Sequence, residues 1–318
     1  GIIFPCGHWH VAKAAEEYHS CALGLVSKGF VVLLFDPIGQ GERCDYFKAD
    51  KSLVTEEPVI EHTLLANPLF LLGRHLMTLR LWDAIRGIDY LVSRPEVDPE
   101  RIGITGNSGG GTVTLHLVPL EERLKVAVPD GTVNAPEWSL GTGAIGDGEQ
   151  NLPRRVPFGI THADLMMLAY PRPYQLSIES RGGVRTGARE SYVQARWLYE
   201  TLGQPGRMSF VETEWPHGIF KFSREKIYEW FLRWFYDRQD GWEEPVLKLE
   251  KESDLWCSKD GQILRERGKS IQQYIDEQAQ KILPARETPK KGPAFDSYRA
   301  EIVSGAKKAL NNPVHRLV

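Results

Sequence analysis

Long apolar stretches are missing from this 318-residue chain. The longest uninterrupted run extends only from Phe30 to Phe35, far short of the ~20 residues a bilayer-spanning helix needs. An excess of one charge is missing too. The 39 basic and 42 acidic residues leave a net charge of −3, which gives no sign of a nucleic-acid or anionic-membrane partner. Cysteine is scarce: Cys6, Cys21, Cys44 and Cys257 form neither a CxxC pair nor a zinc spacing, and both free thiols and a disulfide stay open. His8, His10 and His19 lie close together but match no metal motif, so no metal is expected there. "GNSGGGT" lacks the lysine of a phosphate-binding loop, and no repeat or low-complexity tract is present. The chain starts at Gly1 on what reads as a strand, so a preceding segment, with further strands of the sheet, is expected to have been removed. The compartment is then open, secreted or periplasmic if that segment was a signal peptide.

What is present is the composition of an ordinary globular protein, 42% hydrophobic and 25% charged, long enough to bury a large core. Strand-like and helix-like segments alternate. Ile2 to Phe4 reads as a strand, Lys13 to Lys28 as a helix stopped by Gly29, and Phe30 to Phe35 as a fully buried strand. Leu81, Ile85, Ile88 and Val92 mark one face of a helix ending before Pro95. Strands are expected at 101–105, 125–128, 174–178 and 208–211, with a helix at 188–202 and an aromatic-rich helix behind Ser223. Such alternation predicts a mostly parallel sheet covered by helices on both faces. From Gly241 the character changes to short strands around Lys259-Asp260-Gly261, a helix capped by Ser270, a Pro-rich linker at 284–293 and a last amphipathic piece. The expected organisation is a catalytic domain over 1–240 and a C-terminal extension over 241–318.

One stretch carries chemistry. In "RIGITGNSGGGT", Ser108 stands between Gly106 and Gly110, after a short β-branched strand and before a plausible helix. This matches the nucleophile elbow, in which glycines two residues either side let strand and helix backbones approach without a Cβ clash. A serine nucleophile needs a base. His217 in "VETEWPHGIF" follows the last expected strand and precedes the aromatic helix, the place the elbow order assigns to it. The oxyanion would be met by the N–H of Gly109 and by His8 or Trp9 in the loop after the first strand.

"GFVVLLFDPIGQGER", "DAIRGIDYLVSRPEVDPERIGITGNSGGG", "GDGEQNLP" and "PHGIFKFSREKIYEWFLRWF" resemble α/β-hydrolases of the acetyl xylan esterase-like and dipeptidyl-peptidase-like esterase group, from Ile2 to about Asp240. The resemblance implies an α/β-hydrolase fold and cofactor-free hydrolysis of small acyl esters, often acetyl groups on plant polysaccharides. It also implies an Asp just beyond the strand "YQLSIES", where this chain has Arg181-Gly182-Gly183-Val184-Arg185 and no carboxylate. Three readings stay open: Asp130 at the end of "VAVPDG" supplies the acid, Glu179 within the strand supplies it, or none does and the site is weakened.

Trp138 could offer a sugar-stacking face, and Gln150, Asn151 and Arg154 lie where such folds place substrate contacts; Asp36 and Arg43 read as turn residues. The expectation is a serine esterase acting on a small or polysaccharide ester, with Ser108, His217 and Asp130 as triad, neither nucleic acid nor membrane as partner, and oligomeric state open. A serine peptidase of the same fold, or a silent hydrolase fold used for binding, are the rivals.

Overall fold

The computed structural model describes every residue except 134–146, 151, 153, 154, 156, 182–184, 283–290 and 311–318. It divides into two compact units, Gly1–Gln272 and Gln273–Val318. The first is built on six parallel strands: β1 (Ile2–Pro5), β2 (Val32–Phe35), β3 (Ile102–Asn107), β4 (Leu124–Asp130), β5 (Tyr174–Glu179) and β6 (Met208–Thr213). Their order is β2-β1-β3-β4-β5-β6. Each parallel neighbour requires a crossover, and helices supply them: α1 (Glu16–Ser27), α2 (Pro58–Leu71), α3 (Leu76–Val92), α4 (Gly109–Leu117), α5 (His162–Met167), α6 (Arg185–Thr201) and α7 (Lys221–Tyr236).

Strand alternation sorts the core into two layers. Ile3, Ile102 and Ile104 face a cluster with Ala84, Ile88 and Leu91 of α3 and Ala188, Ala195 and Tyr199 of α6. Ile2, Phe4, Val126 and Val128 face Tyr18, Cys21 and Leu25 of α1 and Ile227, Tyr228 and Phe231 of α7. The expected strand at Phe30 to Phe35 is shorter and lies at the sheet edge, only partly covered. The continuous apolar run predicts a fully buried strand, whereas Val32–Phe35 is half-buried at one end of this chain's strand order. The four cysteines are free thiols.

Helix α2 starts at Pro58, a residue suited to the first helical position, and is not marked by apolar periodicity in the sequence. Residues 241–272 hold two 3-10 turns, Glu252–Leu255 and Ile263–Arg265, where short strands were expected; no strand is found there among the described residues. Side chains of the body hold this segment instead. Arg224 pairs with Glu244, and Glu42 accepts hydrogen bonds from the Cys257 and Ser258 amides and the Ser258 hydroxyl. Asp45 accepts the first amides of α8 (Ile271–Ile282), at Ile271 and Gln272. The second unit contains most of α8 and α9 (Pro293–Leu310). No helix among the described residues is long and apolar enough to cross a membrane.

Candidate active site

Ser108 stands at the junction of β3 and α4 with φ 56° and ψ −121°, a conformation that strains any residue with a Cβ. Close packing around the turn explains why glycines flank it. A Cβ on Gly106 would come within 2.7 Å of the Gly110 and Pro5 backbones, and one on Gly110 would overlap the Pro5 carbonyl oxygen. The Ser108 amide donates to the Asp130 carbonyl at 2.9 Å, locking the turn onto the end of β4. Gly109 then opens α4, and the first amides of a helix have no partner within it.

The loop after β1 closes over this turn. A Cβ on Gly7 would lie 3.0 Å from the Ser108 Cβ, and the His8 ring occupies the space where a Gly109 side chain would stand, its Cε1 2.7 Å from a built Cβ. Gln40 Nε2 donates to the Gly7 carbonyl at 2.6 Å and holds the loop. Trp9 is 48% exposed on the same loop.

His217 follows β6 on a loop that ends at α7. Its Nδ1 lies 3.3 Å from Glu179 Oε2 at the end of β5. The other Glu179 oxygen accepts from the Gly218 amide at 3.2 Å and from Asn107 Nδ2 at 3.0 Å. The same Asn107 amide donates to Asp130 Oδ2 at 2.6 Å, so one side chain joins the two carboxylates. Asp130 is fully buried; burial first, and the neighbouring Glu179 charge second, push its carboxyl well above the ordinary carboxylate range. The hydrogen bond to Glu179 leads in raising the His217 imidazole above its usual value, against a smaller opposing effect of burial. Glu17 of α1 accepts from the Ile219 amide at 3.1 Å and fixes the far side of the loop.

Of the remaining sequence candidates, Gln150 turns its amide to Asp147 at 2.9 Å. Trp138, Asn151 and Arg154 lie outside the described residues. Asp36 and Arg43 are occupied structurally: Asp36 accepts from the Lys13 amide and ammonium, and Arg43 pairs with Asp83 at 2.7 Å. Sequence reasoning missed a group beside His8, made of the buried His62 on α2, Arg80 on α3 and Glu149 ahead of α5, with the partly exposed Asp147 at its rim. Glu149 lies in the quoted "GDGEQNLP", but its partners are scattered along the chain and no local spacing reveals them.

A six-stranded parallel sheet with helices on both faces, and a strained serine between β3 and α4, defines an α/β-hydrolase fold. Residues 7–132 match the acetyl xylan esterase (AXE1) family, which bears out the resemblance read from the motifs. The Bacillus subtilis (strain 168) protein YtaP, a hydrolase by name, is 32% identical over 104 residues, 33% of this chain and 30% of its own length. Among solved structures, methylesterase BT1017 superposes with a TM-score of 0.67 at 20% identity, over 94% of this chain and 61% of its own. A carbohydrate esterase family 15 glucuronoyl esterase from Caldicellulosiruptor kristjansonii gives 0.52 at 16% identity, over 80% and 74%. This chain therefore spans about a third of the curated relative and under two thirds of the methylesterase.

Proposed function

We propose that this chain is a serine esterase that hydrolyses short acyl esters of carbohydrates, with Ser108 as nucleophile, His217 as base and Glu179 as the third member. The observation that carries the reading is the Glu179 carboxylate, held by Asn107 and the Gly218 amide and facing His217 Nδ1. A carboxylate there keeps the proton on Nδ1 and leaves Nε2 basic, and it stabilises the imidazolium once formed. Ser108 Oγ attacks the ester carbonyl and gives its proton to His217, which passes it to the departing alcohol. Water then attacks the acyl-serine, His217 takes its proton, and the carboxylic acid leaves as Ser108 is reprotonated. The Gly109 amide and the amides of the His8–Trp9 loop stabilise the oxyanion in both halves. The acetyl xylan esterase match over 7–132 supports the choice of acyl ester and carbohydrate.

The test is hydrolysis of p-nitrophenyl acetate and of acetylated xylo-oligosaccharides by wild type and Ser108→Ala, with fluorophosphonate labelling of both. Turnover and labelling that vanish together in Ser108→Ala are expected. A folded wild type that neither labels nor turns over any ester would overturn the proposal in favour of a binding role.

A further inference from the structure

His8, His62 and Glu149 come from a loop, a helix and a segment far apart in sequence, yet their donor atoms converge within 4.8 Å. His8 Nε2 is 3.1 Å from His62 Nδ1 and 2.6 Å from Glu149 Oε1, and His62 Nδ1 is 3.5 Å from Glu149 Oε2. The side chains of His62 and Glu149 are wholly buried, and that of His8 is 9% exposed. Ligands of a tetrahedral zinc ion, bound at about 2.0–2.1 Å, stand about 3.3 Å from one another, and these three edges straddle that value.

The outer atoms of the group sharpen the argument. His62 Nε2 donates to the Ile38 carbonyl at 2.7 Å, which leaves Nδ1 as a lone pair facing inward. His8 Nδ1 faces the Asp147 carboxylate at 3.3 Å, and an Nδ1–H directed at it leaves Nε2 as a second inward lone pair. Glu149 Oε1 already accepts from Arg80 Nη1 at 3.1 Å, while its buried Oε2 has no hydrogen-bond partner among the described residues. With these tautomers three acceptors point at one another in a dry place, a set that a bound cation would satisfy. Carboxylate and carbonyl partners on the outer nitrogens, and an arginine on the carboxylate, are the arrangement that supports metal ligands.

We propose that His8 Nε2, His62 Nδ1 and a Glu149 oxygen form a site for one divalent transition cation of the zinc class, anchored in part on the loop that covers Ser108. Three protein ligands leave a fourth position open to water. The proposal does not depend on the esterase reading, since it concerns binding alone.

The experiment is calorimetric titration of zinc, and visible absorption with cobalt, on full-length protein stripped with chelator. Wild type, Glu149→Gln and Asp147→Asn are compared. One ion per chain is expected in wild type, with a tetrahedral cobalt spectrum. Binding should be lost in Glu149→Gln and weakened about 10- to 100-fold in Asp147→Asn, which changes only the partner of His8. Because Asp147 is partly exposed, its variant keeps the test decisive even where Glu149→Gln does not fold. Absence of a stoichiometric ion in wild type would overturn the proposal and leave a shared proton on the cluster. Wild-type affinity retained in Asp147→Asn, with an octahedral cobalt spectrum, would place the ion elsewhere and overturn it equally.

Discussion

Replacing Glu179 by glutamine should separate the two carboxylates that flank Asn107. In wild type, Glu179 Oε2 stands 3.3 Å from His217 Nδ1. A unit-charge pair at that distance interacts by about 1.3 kcal/mol at the dielectric of water and by about 5 kcal/mol at an effective value of 20. The His217 side chain is 50% exposed while that of Glu179 is 5% exposed, so the loss on forming imidazolium falls between these limits, at about 3 kcal/mol or roughly a hundredfold in kcat. Tautomer adds to the loss. In Glu179→Gln, the Gly218 and Asn107 amides would hold the carbonyl of the new side chain, turning its NH2 toward His217 Nδ1 and favouring the wrong imidazole tautomer. The acid limb of kcat/KM should lie above the ordinary histidine value in wild type, because the Glu179 hydrogen bond raises His217, and should move down in the variant. Asp130→Asn should leave kcat within about threefold of wild type. Its effect is on stability. An acid raised in the fold disfavours the native state as pH climbs past its unfolded value near 4, so the Asn variant should gain Tm relative to wild type between pH 5 and 8, by about 2–4 °C per kcal/mol relieved. Steady-state kinetics with p-nitrophenyl acetate and thermal melts across pH decide both points. A larger kcat loss in Asp130→Asn than in Glu179→Gln would refute the assignment.

Three further outcomes are expected. Ser108→Gly should be more stable than Ser108→Ala by about 1 kcal/mol in thermal or denaturant unfolding, because glycine alone adopts φ 56°, ψ −121° without strain. Gly110→Ala drives a Cβ into the Pro5 carbonyl and should lower stability by about 3 kcal/mol or more, or prevent folding, as circular dichroism would show. Although burial opposes it, hydrogen bonds from Lys13, Ser258 and Cys257 hold Glu42 at about 2, so the stability it adds is intact above pH 4.5 and lost as pH falls toward 2; Glu42→Gln should quicken amide exchange at Cys257 and Ser258 at neutral pH.

Much of this architecture was legible because its signals are local. Gly106, Ser108 and Gly110 sit within a single turn, and their spacing alone implies backbone contact at the elbow. The strands at 124–130, 174–179 and 208–213 are short apolar runs bounded by turns, which periodicity reads well. What stayed hidden depends on packing between distant segments. The place of β2 in the strand order depends on pairing with β1, which no local pattern encodes. The absence of strands at 241–272 reflects capture by Glu42, Arg224 and Asp45, none of which announces its partner in sequence. The grouping of His8 with His62, Arg80 and Glu149 joins four segments and has no spacing to recognise.

The acid presents the same difficulty in sharper form. Within β5 the direction of Glu179 is a matter of register, and pairing of Glu179 with Thr213 in β6 sets it at the rim beside the histidine loop. Gly131 makes room: its φ of 60° suits glycine, and a Cβ there would meet the Glu179 carboxylate at 2.8 Å. Two carboxylates joined by one Asn107 amide in a buried rim do not both ionise easily. Burial and the neighbouring Glu179 charge push the carboxyl of the fully enclosed Asp130 up, and Glu179 is the carboxylate that also faces His217 and the Gly218 amide. If Asp130 serves only to hold Asn107, Asn107→Ala, by freeing Glu179, should lower kcat about tenfold while Asp130→Asn does not; equal losses in the two variants would count for Asp130 as the acid.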